Sequence, residues 1–133
     1  MKLLSRLLTP ATTVHAHCDL PCGVYDPAQA RIEAESVKGI LEKYQANDDP
    51  VHRTRCVVIK EERAELVKHH LWVLWTDYFK PEHAQKYNNI HQLFWEATKA
   101  AGAVKKSTDV ADADKLLGLI DEIAKIFWET KQA

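Results

Sequence analysis

Glycine and proline are scarce in this chain, at four and five of 133 residues. Most of the prolines fall where elements should begin or end. A sandwich or barrel needs turn residues at short, regular spacing, so the shortage argues against both. No apolar run approaches the roughly 20 residues needed to cross a bilayer, which excludes a membrane span. Charge of either sign is not in excess: the net value is −1, and no basic stripe marks a nucleic-acid surface. Three cysteines are too few for a disulfide framework in a chain long enough to fold by burial. There is no glycine-rich phosphate loop, no nucleophile elbow and no internal repeat. No glutamate is followed three residues later by a histidine, so the inward Glu-x-x-His pairs of a ferritin-like di-iron bundle are absent. What is present is 46% apolar and 28% charged residues, enough for one hydrophobic core and one domain.

The apolar residues recur at helical spacing. Asp26-Pro27-Ala28-Gln29 is a helix start, with Asp26 at the N-cap, Pro27 at the first helical position and Gln29 completing a capping box. The first helix should run over 27–46, with Val37, Ile40, Leu41 and Tyr44 inward. Asn47-Asp48-Asp49-Pro50 is a turn. A second, long helix over 51–79 carries Ala64, Val67, Leu71, Leu74 and Tyr78 as a bundle seam, extended toward its start by Val57 and Val58. Pro81 closes it. Residues 82–89 read as a short turn of helix and a loop. A third helix over 89–104 faces Ile90, Leu93, Phe94, Ala97 and Ala101 inward. A fourth over 111–130, capped by Ser107 or Asp109, faces Leu116, Leu119, Ile120, Ile123 and Phe127 inward. Gly118 costs that helix about 1 kcal/mol against alanine. The fold class is therefore all-α, an antiparallel up-and-down four-helix bundle behind an N-terminal metal-binding hook.

Most polar candidates have an ordinary reading. His69 and His70 are adjacent, about 100° apart around a helix, and cannot form one ligand pair. Glu65 and His69 are a surface pair at i, i+4, and His91 with Trp95 is packing. His52 and His83 stand alone. Cys56 reads as a small buried hydrophobe. The four tryptophans lie on several helix faces, so more than one cannot reach the core, and exposed ones suggest an oligomer interface.

Chemistry concentrates in His17-Cys18-Asp19-Leu20-Pro21-Cys22-Gly23-Val24-Tyr25. One imidazole and two thiols fall within six residues, a set that suits structural zinc or a redox-labile thiol pair. Residues 1–16 are different in kind: basic at Lys2 and Arg6, apolar at four leucines, free of acids, and ending in Val14-His15-Ala16. They read as a removable leader, whereas Arg6 and Pro10 break the apolar run that an export signal needs; an attached tail is the plain alternative. Cleavage before His17 frees an α-amine. That amine, the Cys18 amide nitrogen, the Cys18 sulfur and the Cys22 sulfur can then surround one ion in a plane, with the His17 imidazole near an axial position. An anionic amide ligand favours Ni(II) or Cu(II) over zinc. Gly23 supplies backbone freedom and Leu20-Pro21 a turn.

From His17 to Pro27 the chain resembles the signature of the nickel superoxide dismutases. The likeness continues through residues 28–38, 59–66, 75–81 and 125–131. It implies an inactive precursor whose leader, residues 1–16, is removed by a maturation protease. Residues 17–133 would form a single domain that assembles as a homohexamer with one nickel ion per subunit. It implies metal ligation by His17, Cys18 and Cys22, and catalytic roles for Tyr25, which gates small anions, and Asp19, which supports the hook. Glu33 and Arg63 would orient the His17 imidazole, with Tyr78 and Lys80 nearby. The reaction would be disproportionation of superoxide to oxygen and hydrogen peroxide by Ni(III)/Ni(II) cycling. The alternative is a non-enzymatic zinc-, copper- or nickel-binding helical protein. The broken leader favours the cytoplasm.

Overall fold

The computed structural model describes Leu20 and residues 22–133. The expectations for residues 1–16, His17, Cys18, Asp19 and Pro21 lie outside those residues. Among the described residues the chain forms helices α1 (Ala28–Ala46), α2 (Pro50–Val73), α3 (Pro81–Lys86), α4 (Ile90–Lys106) and α5 (Val110–Gln132), with no strand. The four long helices pack in a ring, α1 on α2, α2 on α4, α4 on α5 and α5 on α1. Residues 47–49 and 107–109 make the tight reversals, and this is the expected up-and-down bundle. No described helix is long and apolar enough to cross a membrane.

Local chemistry sets the helix ends. The Asp26 carboxylate accepts from the Ala28 amide at 2.8 Å; the Gln29 amide bonds the Asp26 backbone carbonyl instead of its side chain, so the expected capping box does not form, and Pro27 is already helical and fully buried. The Asp49 carboxylate accepts from the His52 amide at 2.8 Å. It caps α2 with Pro50 at the first position, so the turn residue expected to precede the helix begins it. Of the two caps offered for α5, Asp109 binds the Ala111 amide at 2.9 Å; Ser107 instead accepts from the Asp109 amide at 2.9 Å.

All the inward residues expected of the last two helices are buried. The first two helices need correction. In α1 the buried stripe is Ala30, Ala34, Val37 and Leu41, and Ile40 and Tyr44 are only half-buried. Small alanines suffice there because α1 packs close to its neighbours. In α2 the seam continues from Ala64 to Lys60 and Cys56, both buried, whereas Val58 is 52% exposed. Lys60 reaches the core side because its aliphatic stem packs inward while its ammonium donates to the Ser107 carbonyl. Cys56 is the buried hydrophobe expected of it.

The second helix also ends differently. Its α-helical part stops at Val73 and gives way to a π-helical turn over Leu74–Tyr78, closed by the Phe79 amide bonding the Leu74 carbonyl at 3.0 Å. Pro81 does not merely end α2; it opens α3. Trp75 packs partly into the core, while Trp72, Trp95 and Trp128 are 47%, 59% and 47% exposed. A side chain at Gly118 would meet nothing within 4 Å, and nothing in the structure explains that glycine.

Candidate metal hook and its cavity

The described part of the hook is a short ascent into α1. Gly23 takes φ = 72°, a conformation that costs an L-residue roughly 1–2 kcal/mol, so glycine is required by backbone geometry and not by space. That turn lets the Val24 amide donate to the Cys22 sulfur at 3.4 Å, which fixes the direction of the thiol. The thiol is exposed and in no disulfide. Tyr25 follows, half-buried, and Asp26 and Pro27 anchor the segment to the bundle.

Tyr25 packs on an aromatic wall from distant parts of the chain. Its ring centroid lies 5.7 Å from that of Tyr78. Tyr78 in turn lies 4.4 Å from Phe127 and 5.0 Å from Phe79. The Tyr78 hydroxyl meets the Thr130 hydroxyl at 2.7 Å. A π-helical turn, a feature frequent at functional sites, thus delivers Tyr78 to the hook. Beside it opens a cavity of about 370 Å³ that Gly23 and Tyr25 share with Asp77, Tyr78, Lys80 and His83. The Asp77 Oδ1 accepts from the Thr76 hydroxyl at 2.9 Å; its Oδ2 is buried with no hydrogen-bond partner. His83 Nδ1 accepts from the Lys80 amide at 3.1 Å, so the neutral ring carries its proton on Nε2.

Glu33 on α1 and Arg63 on α2 form an ion pair at 3.2 Å, with the carboxylate side chain only 16% exposed. The structure brings these two predicted residues together, and their expected partner, the His17 imidazole, lies outside the described residues. The other histidines are engaged elsewhere. His69 packs edge-on against His70 at 5.4 Å, and Glu65 pairs with Lys105 instead of His69. His91 packs on Trp75 at 4.8 Å, which replaces the expected contact with Trp95. Sequence reasoning placed Tyr78 and Lys80 near the hook but missed Asp77, His83, Thr130 and Lys131. The only signal for them was the dense polar run flanking two aromatic clusters.

Does this site fit a metal? Cys22 offers a soft, exposed sulfur donor, the type that selects nickel, copper or zinc. Among the described residues no three His, Cys, Asp or Glu side chains are placed to hold an ion. A centre at Cys22 must therefore draw its remaining donors from the preceding segment, where His17 and Cys18 stand. The donor chemistry fits.

Comparison with known proteins gives the same direction. The family model for nickel-containing superoxide dismutase matches residues 12–131. A protein of Streptomyces coelicolor named superoxide dismutase [Ni] is 63% identical over 98% of this chain and 100% of its own. The native crystal structure of a nickel superoxide dismutase is similar with a TM-score of 0.86 and 63% identity, over 88% of this chain and all of that one. A second solved structure, with nickel ligation corresponding to the oxidized state, has 65% identity and the same TM-score of 0.86, again over 88% of this chain and 100% of its own.

Proposed function

The chain belongs to the nickel-containing superoxide dismutase family and is a nickel-dependent oxidoreductase that disproportionates superoxide; from that premise we propose how its own residues build the site. His17 through its α-amine and imidazole, Cys18 through its amide nitrogen and thiolate, and Cys22 through its thiolate hold one nickel ion per subunit. Bound there, nickel would supply one-electron exchange with superoxide through the Ni(III)/Ni(II) couple. The balance is two superoxide anions and two protons to one oxygen and one hydrogen peroxide.

The remaining residues orient, admit and exclude. Tyr25, braced on Tyr78, limits what reaches the hook to small anions, and Asp19 supports the hook from within. Glu33 orients the His17 imidazole, and Arg63 holds Glu33 in place through the ion pair at 3.2 Å. The observation that carries this reading is the exposed Cys22 thiol, aimed by the Val24 amide beside a left-handed Gly23.

We place the maturation cut between Ala16 and His17, leaving 17–133 as one domain. The solved relatives support this. Their whole chains cover 88% of this one, and 88% of 133 residues is about 117, the length from His17 to Ala133. A maturation protease would make the cut, and the short, broken apolar run of residues 1–16 is consistent with processing in the cytoplasm. Three half-exposed tryptophans are large apolar surface for a monomer, which supports assembly into the homohexamer.

The test is the N-terminal mass, metal content and sedimentation of protein purified from its native host. The expected result is a chain starting at His17, about one nickel per subunit, a rhombic Ni(III) resonance and a hexamer. A chain that retains Met1 and binds zinc overturns the reading.

A further inference from the structure

Lys131 stands in the last turn of α5, more than 100 residues from the hook, yet lines the hook cavity. Its Nζ lies 5.1 Å from the Tyr78 ring centroid and 5.6 Å from that of Phe127. Such seats on aromatic faces hold an ammonium without neutralising it. Arg31, Lys38, Arg53, Arg63 and Lys105 each pair with a carboxylate; Lys131 forms no ion pair among the described residues. Lys80 lines the same cavity and also has no such pair. The acid in the lining, Asp77, has one oxygen buried and the other bonded to Thr76. Two ammonium groups against this one carboxylate still leave the lining positive in a chain of net charge −1.

We propose that Lys131 is a steering residue for the dismutation: its unpaired ammonium, seated on Tyr78 and Phe127, draws superoxide into the cavity beside Gly23 and Tyr25. This rests on the hook reading above and adds a residue to it. The substrate is an anion and the product, hydrogen peroxide, is neutral. A fixed cation therefore favours entry without retaining what leaves. Low-dielectric aromatic walls concentrate the field along that approach. Two features follow from a charge that acts on encounter alone. It raises kcat/KM and leaves kcat unchanged, and its effect fades once the Debye length falls below the approach distance.

The experiment uses the processed, nickel-loaded enzyme. It follows kcat/KM against ionic strength for wild type, Lys131→Gln, Lys131→Arg and, as an exposed lysine outside the cavity, Lys86→Gln. Lys131→Gln should lower kcat/KM roughly threefold at low salt, the order expected for one nearby surface charge, with a shallower salt dependence and the same kcat. Lys131→Arg and Lys86→Gln should match wild type. Azide, titrated spectroscopically, should bind roughly threefold more weakly to Lys131→Gln, while nickel content and the Ni(III) resonance are unchanged. Wild-type kcat/KM, salt slope and azide affinity in Lys131→Gln would overturn the proposal. Failure of the hook reading shows elsewhere, as nickel binding and activity that survive Cys22→Ser.

Discussion

The Tyr78 hydroxyl donates to Thr130, not the reverse. The two oxygens are 2.7 Å apart, and the single Thr130 proton is already committed to the Phe127 carbonyl at 2.6 Å. The phenol proton is therefore committed to Thr130, and the ring that braces Tyr25 is tied to the end of α5.

Thr130→Val removes that acceptor and strands a partly buried phenol. The expected cost is about 1 kcal/mol, the lower end of the range for an unsatisfied hydroxyl because Tyr78 is only half-buried. Thr130→Ser should recover most of it. Urea unfolding of the three proteins decides the matter, and equal midpoints for Val and wild type would show that the bond contributes nothing.

Phe127 is the larger support. It is fully buried and packs against Tyr78 in a tilted pair with centroids 4.4 Å apart. Phe127→Ala should cost about 3–5 kcal/mol, the usual range for emptying a buried aromatic site, and should also unseat Lys131. Denaturant midpoints give the first effect. A shallower salt dependence of kcat/KM in the surviving folded enzyme gives the second.

Much of the bundle was legible because helix burial repeats every 3.6 residues, and α4 and α5 carry that repeat in large apolar residues. Ala30 and Ala34 were not legible, since alanine is equally at home on either face of a helix. Lys60 was not, because its charge argues outward while its stem packs inward. The π-helical turn was invisible for a different reason: a backbone bond from Phe79 to Leu74 leaves no mark on side-chain type. In the candidate site the proposed donors His17, Cys18 and Cys22 stand out as a local motif, since fused chelate rings through backbone nitrogens need residues adjacent in sequence. The cavity wall was not, because Asp77, His83, Thr130 and Lys131 come together only through tertiary packing.

Burial holds the Lys60 ammonium below the ordinary lysine value, which is about 10.4. Between that lowered value and the ordinary one, the unfolded chain binds more protons at this site than the folded one. The Lys60 contribution to stability therefore rises with pH across that window. Lys60→Met should remove the rise. Urea midpoints measured from pH 8 to pH 10.5 should climb less steeply, or fall more steeply, in the variant. Parallel curves would contradict the assignment.

Cys22 and Cys56 should separate function from stability. Cys22 is exposed and lies outside every helix, so Cys22→Ser should change unfolding free energy by less than about 0.5 kcal/mol, as exposed substitutions usually do. It should nevertheless abolish nickel redox activity, because a neutral hydroxyl is no substitute for a soft thiolate donor. Cys56 is 5% exposed and packs beside Lys60 in α2. Cys56→Ala should do the opposite, costing about 1 kcal/mol and leaving nickel content and activity at wild-type levels. Circular dichroism melts and metal analysis on the two variants make the comparison. Loss of nickel in Cys56→Ala would make that buried sulfur part of the metal chemistry, and loss of helicity in Cys22→Ser would mean that the bundle depends on the hook.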